Sequence, residues 1–133
     1  MSRIASFAFA ALVACSVFVS GSAHAYLDVY PNRVNFLDQY VNEMSFPERI
    51  TVTNYYGQTI VLRTYNNCFM DFQIDDYDCK SPIPHGGRCD IKVRFWPASA
   101  GWKWCTLDID HQFGGFTRID IQGTAIERTP LAR

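Results

Sequence analysis

Apolar and polar residues alternate along most of the chain after residue 25, and the clearest case is the segment 89–95. Ile91, Val93 and Phe95 fall on one face of this segment, while charged residues fall on the other. A period of two predicts a half-buried β-strand with one wet face. Pro97 ends the segment, because proline has no N–H to donate to a sheet ladder.

The same alternation, or a β-branched run, recurs in the segments 26–30, 32–37, 48–54, 59–65, 69–74, 101–110 and 116–123. Turn-forming residues separate these segments, and residues 38–47 and 75–88 are predicted to be longer polar connections. No segment has the 3.6-residue period of an amphipathic helix. About seven short strands without helices predict an all-β fold, an immunoglobulin-like β-sandwich.

The first 25 residues have the features of a secretory signal peptide. Arg3 provides a positive charge, residues 4–19 are uncharged, and Ala-His-Ala at 23–25 forms a cleavage site. The apolar run is shorter than the roughly 20 residues that a membrane-spanning helix needs. We therefore expect an exported protein, located in the periplasm, outside the cell or at the cell surface.

A lipid anchor is the alternative for this segment. Residues 12–15, Leu-Val-Ala-Cys, resemble the bacterial lipobox that precedes a lipidated cysteine. The apolar run continues past Cys15, where a lipoprotein usually turns polar. Cleavage after Ala25 is therefore the favoured prediction, and lipidation of Cys15 is the minor alternative.

Cleavage would leave residues 26–133, of which 26–125 are predicted to form one sandwich domain and 126–133 a C-terminal tail. Loss of Arg3 leaves 11 basic and 13 acidic residues, a net charge of −2. This charge gives no basic excess that would attract nucleic acid or anionic lipid. No later run is apolar enough to span a bilayer.

The cysteine count of the mature chain is even. Its four cysteines are Cys68, Cys79, Cys89 and Cys105. In an exported chain this count indicates a disulfide framework, with three possible pairings. Zinc binding is disfavoured, because no C-x-x-C motif is present and only two histidines remain after cleavage.

Several short motifs follow one another in a set order. They are Val-Asn-Phe at 34–36, Ile-Thr-Val-Thr-Asn at 50–54, the Pro/Gly loop between Cys79 and Cys89, the strand and proline at 91–97, Gly101, Leu-Asp-Ile at 107–109 and Gly-Thr at 123–124. In this order they resemble the abnormal-spindle/hydin (ASH) type of immunoglobulin-like domain, including its bacterial choice-of-anchor D form. The resemblance covers residues 27–125. It implies a seven-stranded sandwich related to major sperm protein and to pilus chaperones.

The resemblance also implies properties of individual residues. Family members are mostly binding or structural modules without catalytic residues. In bacterial relatives two cysteines flank the same Pro/Gly loop, which implies a Cys79–Cys89 disulfide. Cys68 and Cys105 have no family counterpart, so they pair only by elimination, and a buried free thiol at Cys105 is the alternative. The family domain usually occurs in tandem arrays before a cell-surface anchor, whereas this chain carries a single domain.

The three tryptophans are the strongest candidates for a binding surface. By strand parity, Trp96, Trp102 and Trp104 all point away from the core. Clustered exposed aromatic residues mark interaction surfaces. Burial beneath the loops 38–47 or 75–88 is an equally weighted alternative, and carbohydrate stacking is a minor one. The predicted polar rim of this surface consists of Arg94, Lys103 and Arg118.

Catalytic and metal sites are poorly supported. His85 and His111 have no serine nearby with which to form a Ser-His-Asp triad. An acidic cluster could hold calcium, but it lacks the glycine and the twelfth-position glutamate of an EF-hand. The cluster consists of Asp71, Asp75, Asp76 and Asp78. We therefore expect neither a metal nor any other cofactor, and no enzymatic activity.

These observations predict a non-enzymatic structural or interaction module of a bacterial cell envelope, which binds protein partners or self-associates. A periplasmic chaperone or assembly factor that captures partner strands is the first alternative. Within that mode of binding, residues 26–30 could also donate a strand to a neighbour. A secreted hydrolase or effector is a remote alternative.

Overall fold

The structure, a computed structural model, describes residues 25–128. They form eight strands: β1 (Leu27–Tyr30), β2 (Arg33–Tyr40), β3 (Glu48–Asn54), β4 (Arg63–Asn66), β5 (Phe72–Asp75), β6 (Arg88–Phe95), β7 (Gly101–Asp110) and β8 (Phe116–Ile126). The first sheet has the order β1-β3-β6-β5, and the second has the order β2-β8-β7-β4. The predicted immunoglobulin-like β-sandwich is confirmed, with eight strands where about seven were expected.

β1 and β2 are one stretch of chain that changes sheet at Pro31. β1 pairs with β3 in antiparallel fashion, whereas β2 runs parallel to β8. Proline fits the crossing point because it cannot donate to either ladder. The two strands form the sheet edges on one side of the sandwich, and β4 and β5 form the edges on the other side.

The core consists of the inward residues of both sheets. Phe95 is fully buried, and its ring lies 4.8 Å from that of Phe72 and 5.7 Å from that of Phe36. A Cβ atom at Gly123 would lie 2.5 Å from Cε2 of Phe95. Only glycine therefore allows β8 to approach this ring closely, which explains the Gly-Thr motif at 123–124.

Asn54, at the end of β3, is fully buried and organises two loops. Its amide nitrogen donates to the carbonyl oxygens of Gln58 at 2.9 Å and Ile83 at 2.8 Å. Its amide oxygen accepts a hydrogen bond from the N–H of Tyr56 at 2.8 Å. A buried amide is stable only when hydrogen-bonded in this way.

Three predicted strands differ in extent from the observed ones. In the segment 59–65 only residues 63–65 belong to β4, because Ile60 forms a separate bridge with Ile83 in the loop before β6. The segment 69–74 begins as a turn, and β5 starts at Phe72. β2 continues to Tyr40 through a register shift between Asn35 and Asp38, where the segment 38–47 was predicted as a loop.

The ends of the chain lie outside this description. The predicted signal peptide, with Cys15, and most of the predicted tail fall outside residues 25–128, while Ile126 still belongs to β8. The described residues include a 3₁₀ helix, Tyr77–Cys79. Within residues 25–128 there is no helix with the length and apolar character required to cross a membrane.

Candidate interaction surface

Trp102 and Trp104 lie side by side on the outer face of the second sheet. They alternate along β7 with the buried Cys105 and Leu107, which fixes their outward direction. The two ring centroids are 6.4 Å apart, and the planes are inclined by 20°. The residues are 62% and 50% exposed, so loops do not cover this tryptophan pair.

Polar side chains border the tryptophan pair on the neighbouring strand. Thr124 of β8 lies opposite Trp102, and Gln122 lies opposite Trp104. Beyond them, Asn35 of β2 lies opposite Gln122. The pair is therefore an apolar patch with polar side chains beside it on β8, while two other exposed aromatic residues of this face, Tyr65 and Phe116, lie near the far end of β7.

Trp96 lies apart from the tryptophan pair. It follows β6 of the first sheet and is nearly half exposed, and its backbone N–H donates to the carbonyl oxygen of Asp71 at 2.7 Å. The ring contacts of residues 25–128 include Trp102 with Trp104 but no contact of Trp96 with either. The structure therefore brings two of the three predicted tryptophans together on one sheet face and places Trp96 on the other sheet.

The three predicted rim residues lie on different surfaces. Arg94 points outward from the first sheet, with Nη1 3.4 Å from the sulfur of Met44. Lys103 belongs to the inward positions of β7, and its Nζ donates to Ser99 at 2.8 Å. Arg118 shares the outer face with the tryptophan pair but lies farther along it. The binding role of these residues stays a prediction.

Arg118 forms a bidentate ion pair with Asp108 of the opposite strand. Nε donates to Oδ1 at 2.8 Å, and Nη2 donates to Oδ2 at 3.0 Å. This hydrogen bonding, against a smaller effect of burial, holds the pKa of Asp108 below its usual value. The same bonding raises the pKa of the Arg118 guanidinium. The guanidinium is therefore already engaged within the chain.

A second group of apolar side chains lies at one end of the sandwich, where β6 ends and β7 begins. We call this the aromatic end, and it comprises Met44, Phe46, Phe69, Met70, Trp96 and Trp102. Its loops were predicted only as polar connections or as part of a strand. The available signal was the presence of Phe46 in a polar connection and of the adjacent apolar pair Phe69-Met70 at the start of the segment 69–74.

Backbone hydrogen bonds bring the loops of the aromatic end together. The N–H of Ser45 donates to the carbonyl oxygen of Phe95 at 2.8 Å, and Ser45 Oγ accepts from the N–H of Phe95 at 2.9 Å. Asp71 accepts hydrogen bonds from the backbone of Trp96 and of Ala98. Both loops are thus attached to the end of β6.

Two disulfides hold the loops that connect the strands. Cys68 pairs with Cys105, which attaches the loop carrying Phe69 and Met70 to β7 beside Trp104. Cys79 pairs with Cys89, which closes the loop that precedes β6. All four cysteines are buried. The pairing implied by the family resemblance and the pairing inferred by elimination are both present.

Each of the two described histidines is hydrogen-bonded to a nearby oxygen atom. Nδ1 of His85 lies 2.6 Å from the carbonyl oxygen of Tyr56, and Nε2 of His111 lies 2.7 Å from Oγ1 of Thr117. Burial lowers the pKa of His111 below its usual value. The two residues thus make local contacts in separate loops.

The acidic cluster is spread over local hydrogen bonds. Asp75 accepts a hydrogen bond from the N–H of Tyr77, and Asp78 accepts one from the N–H of Asp90. Asp76 lies next to Lys80 in an ion pair. Among residues 25–128, no group of three or more acidic, histidine or cysteine side chains has the arrangement of a metal site.

No protein-family model and no curated protein sequence matches the chain. Solved structures do match it. PapD-like domain 7 of human CEP192, an ASH/PapD-like domain, is 10% identical with a TM-score of 0.57, over 88% of this chain and 99% of that domain. The periplasmic chaperone SfaE is 11% identical with a TM-score of 0.54, over 79% of this chain and 61% of the chaperone.

The VesB protease of Vibrio cholerae is also similar, at 17% identity and a TM-score of 0.55. The match covers 74% of this chain but only 31% of the protease. Identities this low establish a common fold and transfer no catalytic residue. The chain therefore has the PapD-like immunoglobulin fold that is shared by ASH domains, major sperm protein family members and periplasmic chaperones.

Proposed function

We propose that this chain is a non-enzymatic, exported protein-interaction or structural module of a bacterial cell envelope, and that it contacts its partner through the tryptophan pair. One observation carries the proposal: Trp102 and Trp104 lie adjacent, nearly parallel and at least half exposed on a sheet face. Nothing in the core requires tryptophan at these outward positions. Exposure of two indole rings to water is unfavourable. A partner that covers both rings explains why they are there.

The chemistry of this face suits a protein partner. Tryptophan is enriched among the residues that dominate binding energy, which typically lie at the centre of an interface within a polar rim. Here Thr124 and Gln122 provide hydrogen-bonding groups directly beside the two indoles. This arrangement favours a compact contact with one hydrophobic centre.

The contacts of the titratable residues support a role without catalysis. His85 and His111 bond to a backbone carbonyl and a threonine hydroxyl in different loops. Nucleophilic catalysis needs a nucleophile, a base and an orienting group within mutual hydrogen-bond reach. All four cysteines of the described chain are in disulfides, which leaves no thiolate nucleophile among residues 25–128.

Export is supported by the sequence and by the disulfides. Two disulfides in a small domain are typical of oxidising compartments such as the periplasm or the cell exterior. The signal peptide predicted in residues 1–25 supports the same route. We propose a bacterial envelope location because these observations agree with the resemblance to choice-of-anchor D domains.

A pull-down from native envelope extract tests the contact face. Wild type, Trp102→Ala/Trp104→Ala and a control, Tyr65→Ala/Phe116→Ala, are used as baits after their folds are checked by circular dichroism. The control residues are similarly exposed aromatics on the outer face of the same sheet. We expect a partner that wild type and control retain and the tryptophan variant loses. Equal recovery by all three baits would contradict a contact through this pair.

Capture of a partner strand is the second candidate, favoured by the similarity to the chaperone SfaE. Within residues 25–128, β4 and β5 are edge strands of the two sheets, and each is only four residues long. A strand-capturing protein would bind extended peptides by backbone pairing at such an edge. That binding would survive the Trp102→Ala/Trp104→Ala substitution, which distinguishes the two candidates.

A further inference from the structure

Three apolar side chains of the aromatic end project almost completely into solvent. Phe46 is 91% exposed, Met70 is 85% exposed and Phe69 is 71% exposed. A side chain exposed to this degree makes little contact with its own chain and adds little to the core. These residues come from two separate loops, 41–47 and 67–71, that meet at the end of β6.

One apolar residue of the tip has an unfavourable backbone conformation. Met70 has φ 70°. Side chains with a Cβ atom rarely adopt such an angle, and bulky apolar ones least of all. Strain of this kind persists where the surrounding structure fixes it and is concentrated at functional sites.

The loop that carries Met70 is firmly anchored. Cys68 is in a disulfide with Cys105, and its N–H donates to the side-chain oxygen of Asn66 at 2.9 Å. The side-chain oxygen of Asn67 accepts the N–H of Thr106 at 2.8 Å. The loop is thus a fixed support for two projecting apolar side chains, which need no ordering on contact.

The charged residues of this end are separate from the projecting side chains, which are uncharged. Trp96 and Trp102 are about half exposed, and Arg94 and Lys103 lie next to them in sequence, two positions before Trp96 and one position after Trp102. No ion pair of residues 25–128 involves either basic residue. The acidic residues at this end are Asp38, Glu43, Glu48 and Asp71, of which Glu43 pairs with Arg128. The end therefore has an uncharged tip and no net positive charge.

From these features we infer that the aromatic end inserts its tip into the surface of a lipid bilayer. A partner protein would need a concave site matched to convex, separated protrusions, whereas a fluid bilayer adapts to them. Membrane interfaces favour apolar side chains in the acyl region, tryptophan at the level of the headgroups and basic residues farther out. Insertion of the tip would place the residues of this end in that order. Without a net positive charge, insertion depends on apolar burial and not on headgroup charge.

This inference goes beyond the proposed protein contact and assigns insertion to other residues, while Trp102 belongs to both the tryptophan pair and the aromatic end. The tip is formed by Phe46, Phe69 and Met70, while the protein contact is assigned to Trp102 and Trp104 on the face of the second sheet. Attachment through the tip would stand the sandwich on the membrane, with this face directed sideways. Either role can fail while the other holds.

The test is co-sedimentation of the purified protein with phosphatidylcholine vesicles, and with vesicles that also contain phosphatidylglycerol, at low and high salt. Tryptophan emission and its quenching by brominated lipid report insertion, because the only three tryptophans of the chain are Trp96, Trp102 and Trp104. We expect binding to both vesicle types with little salt dependence.

Two tip variants and one control sharpen the test. The tip variants are Phe46→Ser and Met70→Asn, the second chosen because asparagine tolerates a positive φ. Each should lower the partition coefficient between vesicles and water by roughly tenfold. Tyr77→Ser is the control, since Tyr77 is 79% exposed but lies in the 3₁₀ helix away from the tip. It should bind vesicles as wild type does.

Three outcomes would overturn the inference. The first is an absence of vesicle binding by wild type. The second is binding to anionic vesicles alone that high salt abolishes, which would indicate headgroup attraction. The third is an equal loss in the tip variants and in Tyr77→Ser. If wild type does not bind vesicles but is dimeric by light scattering, and the tip variants are monomeric, the tip is an interface between two copies of the chain.

Discussion

The two ends of the sandwich carry similar residues but use them differently. At the end where β3 ends and β6 begins, the rings of Tyr26 and Tyr55 stack at 4.9 Å, and those of Tyr56 and Phe113 meet edge to face at 5.4 Å. At the aromatic end, Phe46 projects almost freely into solvent. The ring pairs of the first end keep Tyr26, Tyr55 and Phe113 at 44% to 48% exposure, so the two ends differ in how far their aromatic rings are covered.

A buried polar residue explains part of this difference. Asn54 binds backbone groups of Tyr56, Gln58 and Ile83, and so fixes the loop that carries Tyr55 and Tyr56 and the loop that precedes β6. The loops of the aromatic end are fixed by backbone bonds to β6 and by the Cys68–Cys105 disulfide. Those constraints leave the apolar side chains exposed to solvent. This is the arrangement expected of a surface that contacts a partner.

The largest expected effect comes from the disulfides. In the chain-entropy model, Cys68→Ala/Cys105→Ala lowers the free energy of unfolding by about 4 kcal/mol, and Cys79→Ala/Cys89→Ala lowers it by about 3 kcal/mol. The difference arises because the bridges span 37 and 10 positions of sequence. Urea unfolding of both variants and of reduced wild type measures these values. An equal or reversed order would show that strain or packing dominates over loop entropy.

The next-largest effect concerns Asn54, which fixes loops at one end of the sandwich only. Asn54→Ala should lower the free energy of unfolding by about 2 to 3 kcal/mol, because buried backbone groups lose their partner. The exposed Asn32→Ala serves as a control and should change it by less than about 0.5 kcal/mol. Thermal and urea unfolding of the two variants check this. A small effect at Asn54 would mean that water replaces the lost amide and that the loops do not depend on it.

The fold could be predicted because strand alternation is a local property. Every second residue is buried along β6 and along most of β3, β7 and β8, so the period of two was visible in the sequence and gave the outward direction of Trp102 and Trp104. The pattern cannot show which strands share a sheet. For that reason the predicted surface combined Arg94 and Trp96 of the first sheet with residues of the second.

The aromatic end could not be found in this way. The directions of Phe46 and Met70 are set by tertiary hydrogen bonds at Ser45 and Asp71 and by a positive φ, and none of these has a sequence period. The role of Asn54 was equally hidden, since it matched a family motif without a stated contact. Pairing of Cys68 with Cys105 depended on the fold that brings β7 beside the loop after β4.

A smaller effect concerns the outer face between the two ends. Arg118→Gln should raise the pKa of Asp108 toward the ordinary carboxyl value, because the bidentate bonds that lower it are lost. In wild type, a lowered folded-state pKa contributes stability above the unfolded value of about 3.9, and this is lost as the pH falls through the lowered value. The pair is solvent-exposed, so its contribution to stability is small. NMR titration of Asp108 in both proteins measures the change, and an unchanged midpoint would contradict it.

The smallest expected change in stability is at the tip of the aromatic end. Met70→Asn should leave the free energy of unfolding unchanged or raise it by up to about 1 kcal/mol, because asparagine tolerates the left-handed backbone at φ 70° better than methionine does. Tyr77→Asn, at an equally exposed position outside the tip, should give no gain. Urea unfolding compares the two variants. If Met70→Asn lowers the free energy of unfolding, the methionine side chain stabilises the fold. If it is neutral or stabilising while vesicle binding falls, the strained methionine is kept for contact with the membrane.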